Sequence, residues 1–228
     1  MDFAKVIWEK NTPKSDIFDD FYFSSDSGVE ESTYNFLEHN FLEHKFKSLS
    51  TKQKFCICET GFGAGLNFTL TLNLWQKVAP KDAQLEFVSF EKYPMDLENT
   101  SKVLNSFEQL NNYEKFLEQY KPQKGLNIIS FENVTLKLII DDVNNIGQYR
   151  FSKVDSWFLD GFTPARNIAM WNDILFKNMA LRSKSNSSFA TFTASSLVRK
   201  KLQKYGFEVK KDTGFGKKRE MMYGFFKP

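Results

Sequence analysis

The fold is decided by the stretch Phe55-Cys56-Ile57-Cys58-Glu59-Thr60-Gly61-Phe62-Gly63-Ala64-Gly65-Leu66-Asn67. An apolar run ends in a carboxylate, three glycines follow at alternate positions, and a helical pattern then begins. A strand, a tight glycine turn and a helix N-terminus in this order form a corner that binds nucleotides or nucleosides. The glycines Gly61, Gly63 and Gly65 allow backbone angles and close approaches that a Cβ would block. The stretch therefore predicts a ligand-binding turn, with a purely structural turn as the alternative.

Glu59 indicates which kind of ligand this turn would hold. A dinucleotide places its pyrophosphate at the helix N-terminus, where a carboxylate at the end of the strand would repel it. A carboxylate instead suits a ligand with a positive group, such as the ammonium of S-adenosylmethionine. We therefore expect a methyl-donor site, with Glu59, Gly61, Gly63 and Gly65 among the residues that bind the cofactor.

Length and composition restrict the class of protein. A chain of 228 residues can form one large α/β domain or two small ones. No apolar run approaches twenty residues, and charged residues interrupt the N-terminal segment 1–10, so neither a membrane span nor a signal peptide is predicted. The expected location is the cytoplasm.

The cysteines and histidines do not suggest a metal site. Cys56 and Cys58 face the same side of a predicted strand, so they are read as buried small hydrophobes rather than a disulfide or a nucleophile. Methylation of a ring carbon through a cysteine adduct is therefore disfavoured. His39 and His44 are the only histidines, and no cluster of ligands accompanies them.

Charge is distributed unevenly along the chain. After Asp160 there are 14 Lys and Arg against 4 Asp and Glu, whereas residues 1–160 carry 17 basic and 24 acidic residues. Such asymmetry suggests a polyanion that docks against the C-terminal third. A solvated basic surface would give the same count.

The rest of the chain alternates strand and helix patterns. Strand-like runs are expected at 85–91, 126–131, 134–140, 154–160, 187–192, 206–211 and 219–226. This alternation predicts an α/β fold with a mainly parallel seven-stranded sheet and helices on both faces. The short last connection makes one terminal strand antiparallel, and 126–140 is expected to be an inserted hairpin. We predict a single domain over 1–228, with an N-terminal extension over 1–50 and a Rossmann-like core over 51–228.

The N-terminal extension is rich in aromatic residues. The segment Asp16–Phe23 partly alternates and predicts a strand or a hairpin arm, and helix patterns follow over 29–37 and 41–48. Because the extension precedes the glycine turn, we expect it to cap the cofactor or to complete a substrate pocket.

Carboxylates end four successive predicted strands. In an open α/β sheet, ligands bind outside the carboxyl ends of the strands. Glu59 and Asp160 would flank the amino-acid end of the ligand, and Glu91 could accept bonds from both ribose hydroxyls. Asp142 could accept from the adenine amine, with Val143 beside the ring. One such acid would be unremarkable because strand ends are polar, but four together favour a site.

Asp160 is the predicted catalytic residue. The sulfonium of the cofactor is already activated, so the protein mainly aligns the nucleophile and excludes water. An amine nucleophile must be unprotonated, and Asp160 is the best candidate to orient it and to take its proton.

Several blocks resemble the MnmC family, bacterial enzymes that mature 5-methylaminomethyl-2-thiouridine at the wobble position of tRNA. The blocks are Asp19–Ser24 with Gly28–Glu31, Trp157–Asn167 with Met170–Trp171, Gly214–Met221 and Glu59–Phe68. The last of these contains Asn67. The resemblance spans nearly the whole chain. It implies a class I methyltransferase fold, S-adenosylmethionine as cofactor with Asn67 in its site, and methyl transfer to the aminomethyl nitrogen of the uridine at position 34.

The resemblance also bears on partners. Many members of the family carry a fused FAD-dependent oxidase domain, but this chain shows no second glycine fingerprint for FAD. It would be either a stand-alone methyltransferase or the N-terminal half of a fusion, working with a fused or separate oxidase, and the family predicts a monomer. Asp141 replaces an expected glycine, which leaves open whether Asp141 or Asp142 contacts adenine.

A basic glycine-rich loop and aromatic side chains are the predicted contacts to the tRNA anticodon loop. Lysines and arginines can bind phosphates, and aromatics can stack splayed bases. The expected contacts are Phe162, Arg199, Phe215, Lys217, Lys218 and Arg219. Both phenylalanines could equally be pocket walls.

Three other functions share parts of this pattern. A small-molecule methyltransferase or an aminopropyltransferase would use the same acids and glycines but would not need the basic third. A nicotinamide-dependent oxidoreductase would share the turn, although Glu59 argues against it. A non-catalytic RNA-binding module would need the basic third alone.

Overall fold

A computed structural model describes residues 1–24 and 27–228, which form two β-sheets flanked by helices. The strands are β1 (Val6–Glu9), β2 (Thr12–Ser15), β3 (Asp20–Phe21), β4 (Lys54–Glu59), β5 (Gln84–Glu91), β6 (Gly125–Phe131), β7 (Val134–Ile140), β8 (Val154–Phe158), β9 (Ser183–Thr191), β10 (Phe207–Thr213) and β11 (Glu220–Phe226). The α-helices are α1 (Gly28–Ser32), α2 (Leu42–Lys47), α3 (Leu66–Val78), α4 (Leu97–Asn105), α5 (Glu114–Gln119), α6 (Asp173–Arg182) and α7 (Ser196–Lys204). A π-helix spans Thr33–Glu38 and a 3-10 helix spans Val143–Gln148.

The main sheet has eight strands in the order β10-β11-β9-β8-β4-β5-β7-β6. Strands β9, β8, β4, β5 and β7 pair in parallel, whereas β6 and β11 run antiparallel to their neighbours. The mainly parallel α/β class is confirmed, but there are eight strands rather than seven and two antiparallel strands rather than one. The difference arises because the hairpin predicted at 126–140 is part of the sheet. Its second strand pairs with β5, so its first strand must form an antiparallel edge.

Each face of the main sheet packs against its own apolar cluster. On one face, Phe68 and Trp75 of α3 are fully buried, and the Phe68 ring contacts Phe87 of β5 edge-on at 5.3 Å. On the other face, Trp157 and Phe176 are fully buried. Burying one such side chain stabilises the fold by about 1.5–3 kcal/mol. The two layers hold the ends of the parallel strands rigidly.

The N-terminal extension forms a small three-stranded sheet, β1-β2-β3. The predicted strand over Asp16–Phe23 is reduced to Asp20–Phe21, because the chain turns at Asp19 with a positive φ of 48°. The carboxylate of Asp20 accepts a hydrogen bond from the backbone N–H of Thr163 at 3.0 Å. Asp19 forms an ion pair with Arg166 at 2.7 Å. The extension therefore lies against the loop that follows β8.

Across the described ranges, the helices are all too short or too polar to span a bilayer.

Candidate active site

The order of the strands explains where the site lies. Strand β4 pairs with β5 on one side and with β8 on the other, so the chain leaves β4 in one direction and later returns on the opposite side. A crevice forms at the carboxyl ends of the strands at such a switch point. In the register of β4 with β8, Glu59 lies opposite Phe158, which brings Asp160 next to Glu59 although 100 residues separate them.

Three connected depressions form the crevice. The inner pocket is lined by Tyr22, Gly61, Gly63, Asn67, Glu91, Asp160 and Phe162. The nucleoside pocket is lined by Phe18, Gly61, Glu91, Asp142, Val143, Phe162 and Met170. The outer cleft, of about 390 Å³, is lined by Tyr22, Glu31, Ser32, Asn35, Asp160, Phe192 and Lys218. Asp160 lines both the inner pocket and the outer cleft, so this residue lies where the two adjoin.

The glycine turn is shaped by close backbone contacts. A Cβ on Gly61 would lie 3.0 Å from the Cα of Gly161. Gly63 and Gly65 have positive φ values of 55° and 80°, a conformation that favours glycine. The helix α3 begins directly after Gly65. Only glycines let the turn pass this close to the loop after β8, and the turn leaves its backbone open to the inner pocket.

Asn67 connects the two acids at the end of the inner pocket. Its Nδ2 donates to Glu59 Oε1 at 2.9 Å and to Asp160 Oδ2 at 2.7 Å. Ser89 donates to the other oxygen of Glu59 at 2.6 Å. The Oδ1 atom of Asn67 is buried and has no hydrogen-bond partner among the described residues. Glu59, predicted to contact the ligand, is fully buried and lines none of the three pockets. The inner pocket therefore presents Asp160 and the amide of Asn67, which suits a ligand that brings N–H donors and positive charge.

Burial changes the protonation of both acids. It raises the pKa of Glu59 to about 8, and the negative charge of Asp160 acts in the same direction. Burial also raises the pKa of Asp160 to about 6, against the hydrogen bonds from the Gly161 N–H and from Asn67. At neutral pH, Glu59 is therefore mainly protonated and Asp160 mainly ionised. A cation bound in the inner pocket beside Asp160 would favour the ionised form of both acids.

Glu91 connects the end of β5 to the glycine turn. One oxygen accepts from the Gly63 N–H at 3.0 Å, and the other accepts from the Tyr93 N–H at 2.9 Å. Burial raises the pKa of Glu91, and these backbone donors oppose the shift. The carboxylate lies between the inner and nucleoside pockets, as a residue that contacts a ribose would.

The two acids after β7 have different surroundings. Asp141 accepts from the hydroxyl of Tyr149 at 2.8 Å and from Asn145 Nδ2 at 3.0 Å. Asp142 accepts from Lys92 Nζ at 3.0 Å and from the Asn144 N–H at 2.9 Å. Both acids line the nucleoside pocket beside Val143, so either carboxylate can face a ligand there.

Phe162 lies at the cofactor side of the crevice. Its ring stacks on Phe18 at 4.5 Å and contacts Tyr22 edge-on at 5.1 Å. One face of Phe162 is thus already covered, which favours the pocket-wall interpretation over base stacking. Phe215 lies against Tyr34 at 5.9 Å, outside the residues that line the three pockets.

The predicted basic contacts divide into two groups. Lys218 turns into the outer cleft, where its ammonium pairs with Glu31 and lies 5.0 Å from the ring centre of Phe192. Lys217 and Arg219 are exposed on the loop between β10 and β11, and Arg199 is half-buried on α7. The structure therefore brings Lys218 to the cleft together with Asp160 and leaves the other three cations outside it.

Sequence reasoning missed several residues that line the crevice, including four polar side chains of one segment. Tyr22, Glu31, Ser32 and Asn35 all come from the N-terminal extension. Burial, together with the charge of Glu91, raises the pKa of the Tyr22 hydroxyl. The aromatic stretch around Tyr22 and the block that contains Glu31 were visible signals. Asn35 had none, because a polar residue in a helix pattern is usually solvent-exposed.

Comparison with known proteins identifies the enzyme class. Residues 108–227 match the family described as S-adenosyl-L-methionine-dependent methyltransferase. The chain belongs to this family. Its cofactor is S-adenosyl-L-methionine, and membership selects methyl transfer over the aminopropyl transfer and the hydride transfer considered above.

The methyltransferase chain also resembles longer curated proteins. It is 40% identical over 227 residues to the "tRNA 5-methylaminomethyl-2-thiouridine biosynthesis bifunctional protein MnmC" of Hydrogenovibrio crunogenus, covering 97% of this chain and 34% of that protein. It is 42% identical to the protein of the same name from Idiomarina loihiensis, covering 96% of this chain and 37% of that protein. The chain therefore spans about a third of the length of these relatives.

A solved structure has the same fold. The crystal structure of MNMC2 from Aquifex aeolicus matches 98% of this chain and 70% of that chain, with a TM-score of 0.77 and 23% identity. This likeness supports the Rossmann-like methyltransferase fold.

Proposed function

We propose that this methyltransferase converts 5-aminomethyl-(2-thio)uridine at wobble position 34 of tRNA to 5-methylaminomethyl-(2-thio)uridine. The observation that carries the proposal is the position of Asp160, which lines both the inner pocket and the outer cleft. A methyl donor on one side and an amine on the other would meet at this group. The names of the 40%-identical relatives and the basic C-terminal third support tRNA as the substrate.

The crevice fits S-adenosylmethionine by an observation independent of the family. Among the described residues, Asn67 Oδ1 has no partner, so it is an acceptor that the cofactor ammonium would satisfy, and Asp160 would hold the positive charge. Glu59 would act through Asn67, to which it is hydrogen-bonded. Glu91 would bind the ribose, and Asp142 with Val143 would contact the adenine. The backbone of Gly61, Gly63 and Gly65 would lie against the ligand. When bound, the cofactor supplies an electrophilic methyl group on a sulfonium.

Asp160 would orient the substrate amine and take its proton. The amine nitrogen gains a methyl group and must lose one proton, which an ionised Asp160 Oδ2 can accept. Burial keeps the pKa of Asp160 near 6, so this carboxylate is a stronger base than an ordinary aspartate but remains ionised at pH 7. The hydrogen bond from Asn67 to the same oxygen positions it for this step.

The N-terminal extension would exclude water from the reaction. Phe18 and Tyr22 cover Phe162 from two directions, and the ion pair of Asp19 with Arg166 fastens the extension to the loop after β8. A closed apolar wall of this kind keeps water from the methyl donor and strengthens the electrostatic contacts inside.

Outside the cleft, the exposed cations would bind tRNA phosphates. Lys217, Arg219 and Arg199 lie on the C-terminal third, and Phe215 on the same loop is near enough to take part. We treat residues 1–228 as a single catalytic unit that acts as a monomer in the cytoplasm on the anticodon loop. An FAD-dependent oxidase, fused or separate, would supply its substrate.

The test uses labelled S-adenosylmethionine and tRNA from cells that lack this modification. Nucleoside analysis should find the label in 5-methylaminomethyl-(2-thio)uridine, and Asp160→Asn should reduce the rate at least about 100-fold. Asp82→Asn serves as a control, because Asp82 is an exposed turn residue before β5, at the opposite end of the sheet. Label in a different nucleoside, or in no RNA at all, would reject the proposal.

A further inference from the structure

An asparagine in the outer cleft has an unsatisfied acceptor. Asn35 belongs to the π-helix Thr33–Glu38, lines the cleft together with Asp160, and is only 1% exposed. Its Oδ1 is buried and has no hydrogen-bond partner among residues 1–24 and 27–228. Nothing in the cofactor chemistry described above uses this group, because Asn35 does not line the inner or the nucleoside pocket.

Two physical facts make this arrangement informative. A buried acceptor without a partner destabilises a fold, and most buried polar groups in proteins do have partners. A π-helix is a rare structure that is found frequently at functional sites. The π-helix and the unsatisfied acceptor occur in the same segment, which lies at the cleft. A ligand that satisfies Oδ1 would explain why the amide is kept there.

A second buried asparagine in the neighbouring turn provides the contrast. Asn40 is fully buried, and its Nδ2 donates to Phe36 O at 3.0 Å and to Trp157 O at 3.3 Å. Its Oδ1 accepts from Ser188 at 2.5 Å. Every bond of Asn40 is made within the protein, so its role is structural. Within the described part of the chain, the acceptor of Asn35 has no such partner.

The cleft itself limits what could satisfy the acceptor. The ammonium of Lys218 is already paired with Glu31, and the apolar walls include Phe36 and Phe192. A flat ring could lie against such walls with a polar edge toward Asn35. A uracil ring carries one ring N–H, N3–H, between two carbonyl or thiocarbonyl acceptors. An amide that accepts with Oδ1 and donates with Nδ2 is complementary to that edge.

We propose that Asn35 is a specificity-determining residue that recognises the N3–H edge of the substrate pyrimidine while the aminomethyl group points to Asp160. This inference rests on the proposed function and names the group that identifies the base. A base flipped out of its stack is recognised in this way, by hydrogen bonds to its Watson–Crick edge.

The first test separates a recognition role from a structural role. Asn35→Leu should raise the KM for tRNA containing 5-aminomethyluridine by about 10- to 100-fold, with kcat changed less than about threefold. Because the acceptor that this substitution removes has no partner among the described residues, the melting temperature of Asn35→Leu should equal or exceed that of the wild type. Asn40→Leu, the matched control, should lower the melting temperature. A lower melting temperature for Asn35→Leu together with an unchanged KM would overturn the proposal.

The second test changes the substrate edge directly. Synthetic tRNAs carry 5-aminomethyluridine at position 34, with either a hydrogen or a methyl group on N3. The N3-methyl group should impair the wild type strongly, and Asn35→Ala, which makes room for it, should reduce that impairment at least about tenfold. The same impairment in both proteins would overturn the assignment of Asn35. Failure of the wild type to methylate the N3–H tRNA would instead reject the proposed function, and the inference with it.

Discussion

Replacing Asn67 with leucine is expected to raise the pKa of Asp160 by about one to two units. In the wild type, the 2.7 Å bond from Asn67 Nδ2 to Asp160 Oδ2 favours the ionised carboxylate. A hydrogen bond to a charged group is worth about 1.5–3 kcal/mol, and 1.4 kcal/mol corresponds to one pKa unit. Leucine has a similar size and no donor. The titration midpoint should therefore move from about 6 to 7 or higher.

The shift can be measured without catalysis. Carbon-13 NMR of protein labelled at the aspartate carboxyls gives the midpoint, and Asp160→Asn assigns the signal. At pH 7 the ionised fraction of Asp160 should fall from about nine-tenths to half or less, and the methylation rate should fall at least in proportion, because Asn67→Leu also removes the acceptor for the cofactor ammonium. Asn73→Leu, on the same helix but bonded to Asn112 at the surface, should leave the midpoint unchanged. An unchanged or lowered midpoint in Asn67→Leu would refute the account of how this acid is tuned.

The remaining predictions concern binding and stability. Gly61→Ala places a Cβ 3.0 Å from the Cα of Gly161, so the affinity for S-adenosylhomocysteine measured by calorimetry should fall at least about tenfold. Lys218→Ala removes the partner of Glu31 inside the cleft, so the KM for tRNA should rise about tenfold while the affinity for S-adenosylhomocysteine is unchanged. Burial lowers the pKa of Lys45 to about 8, so the folded state binds fewer protons than the unfolded state between pH 8 and 10.5. The free energy of unfolding of Lys45→Met should therefore exceed that of the wild type at pH 7.5, by up to about 3 kcal/mol. This difference should shrink as the pH rises from 8 to 10.5.

Each of these predictions has a control and a contradicting outcome. Gly147→Ala should bind normally, because its Cβ would meet only Asn178 Oδ1 at 3.5 Å, and equal losses in both glycine variants would contradict the first prediction. Lys217 is exposed, so any rise in the KM for tRNA caused by Lys217→Ala should disappear at high salt. The rise caused by Lys218→Ala should persist at high salt. For Lys45→Met, a stability difference that does not vary between pH 7.5 and 10.5 in urea unfolding would show that Lys45 does not titrate as described.

The position of the inner and nucleoside pockets was predictable from sequence, because the sequence signals for them are local. The glycine turn and the acid at the end of a strand are adjacent in the chain, and parallel strands place their carboxyl ends at one edge. The same rule brought Asp160 next to Glu59, since their strands pair directly. The sequence did not show that Asn67 joins the two acids, because its helix pattern says nothing about the direction of one amide.

The substrate half depends on contacts between distant segments, and sequence reasoning predicted less of it. Lys218 has the pattern of a surface phosphate contact, yet it pairs with Glu31 from the other end of the chain. Phe162 was expected to be open for stacking or to form a wall, and Phe18 covers one of its faces. The predicted count of seven strands was wrong because it too depends on a contact between separate segments. Only the pairing of β7 with β5 shows that the hairpin joins the sheet.

The most direct test of the central claim is a crystal structure of the chain with S-adenosylhomocysteine. The account predicts that the ligand ammonium lies within about 3.2 Å of Asn67 Oδ1 and beside Asp160, with the ribose hydroxyls on Glu91. A ligand whose ammonium faces away from these groups, or a glycine turn without ligand at saturating concentration, would contradict it.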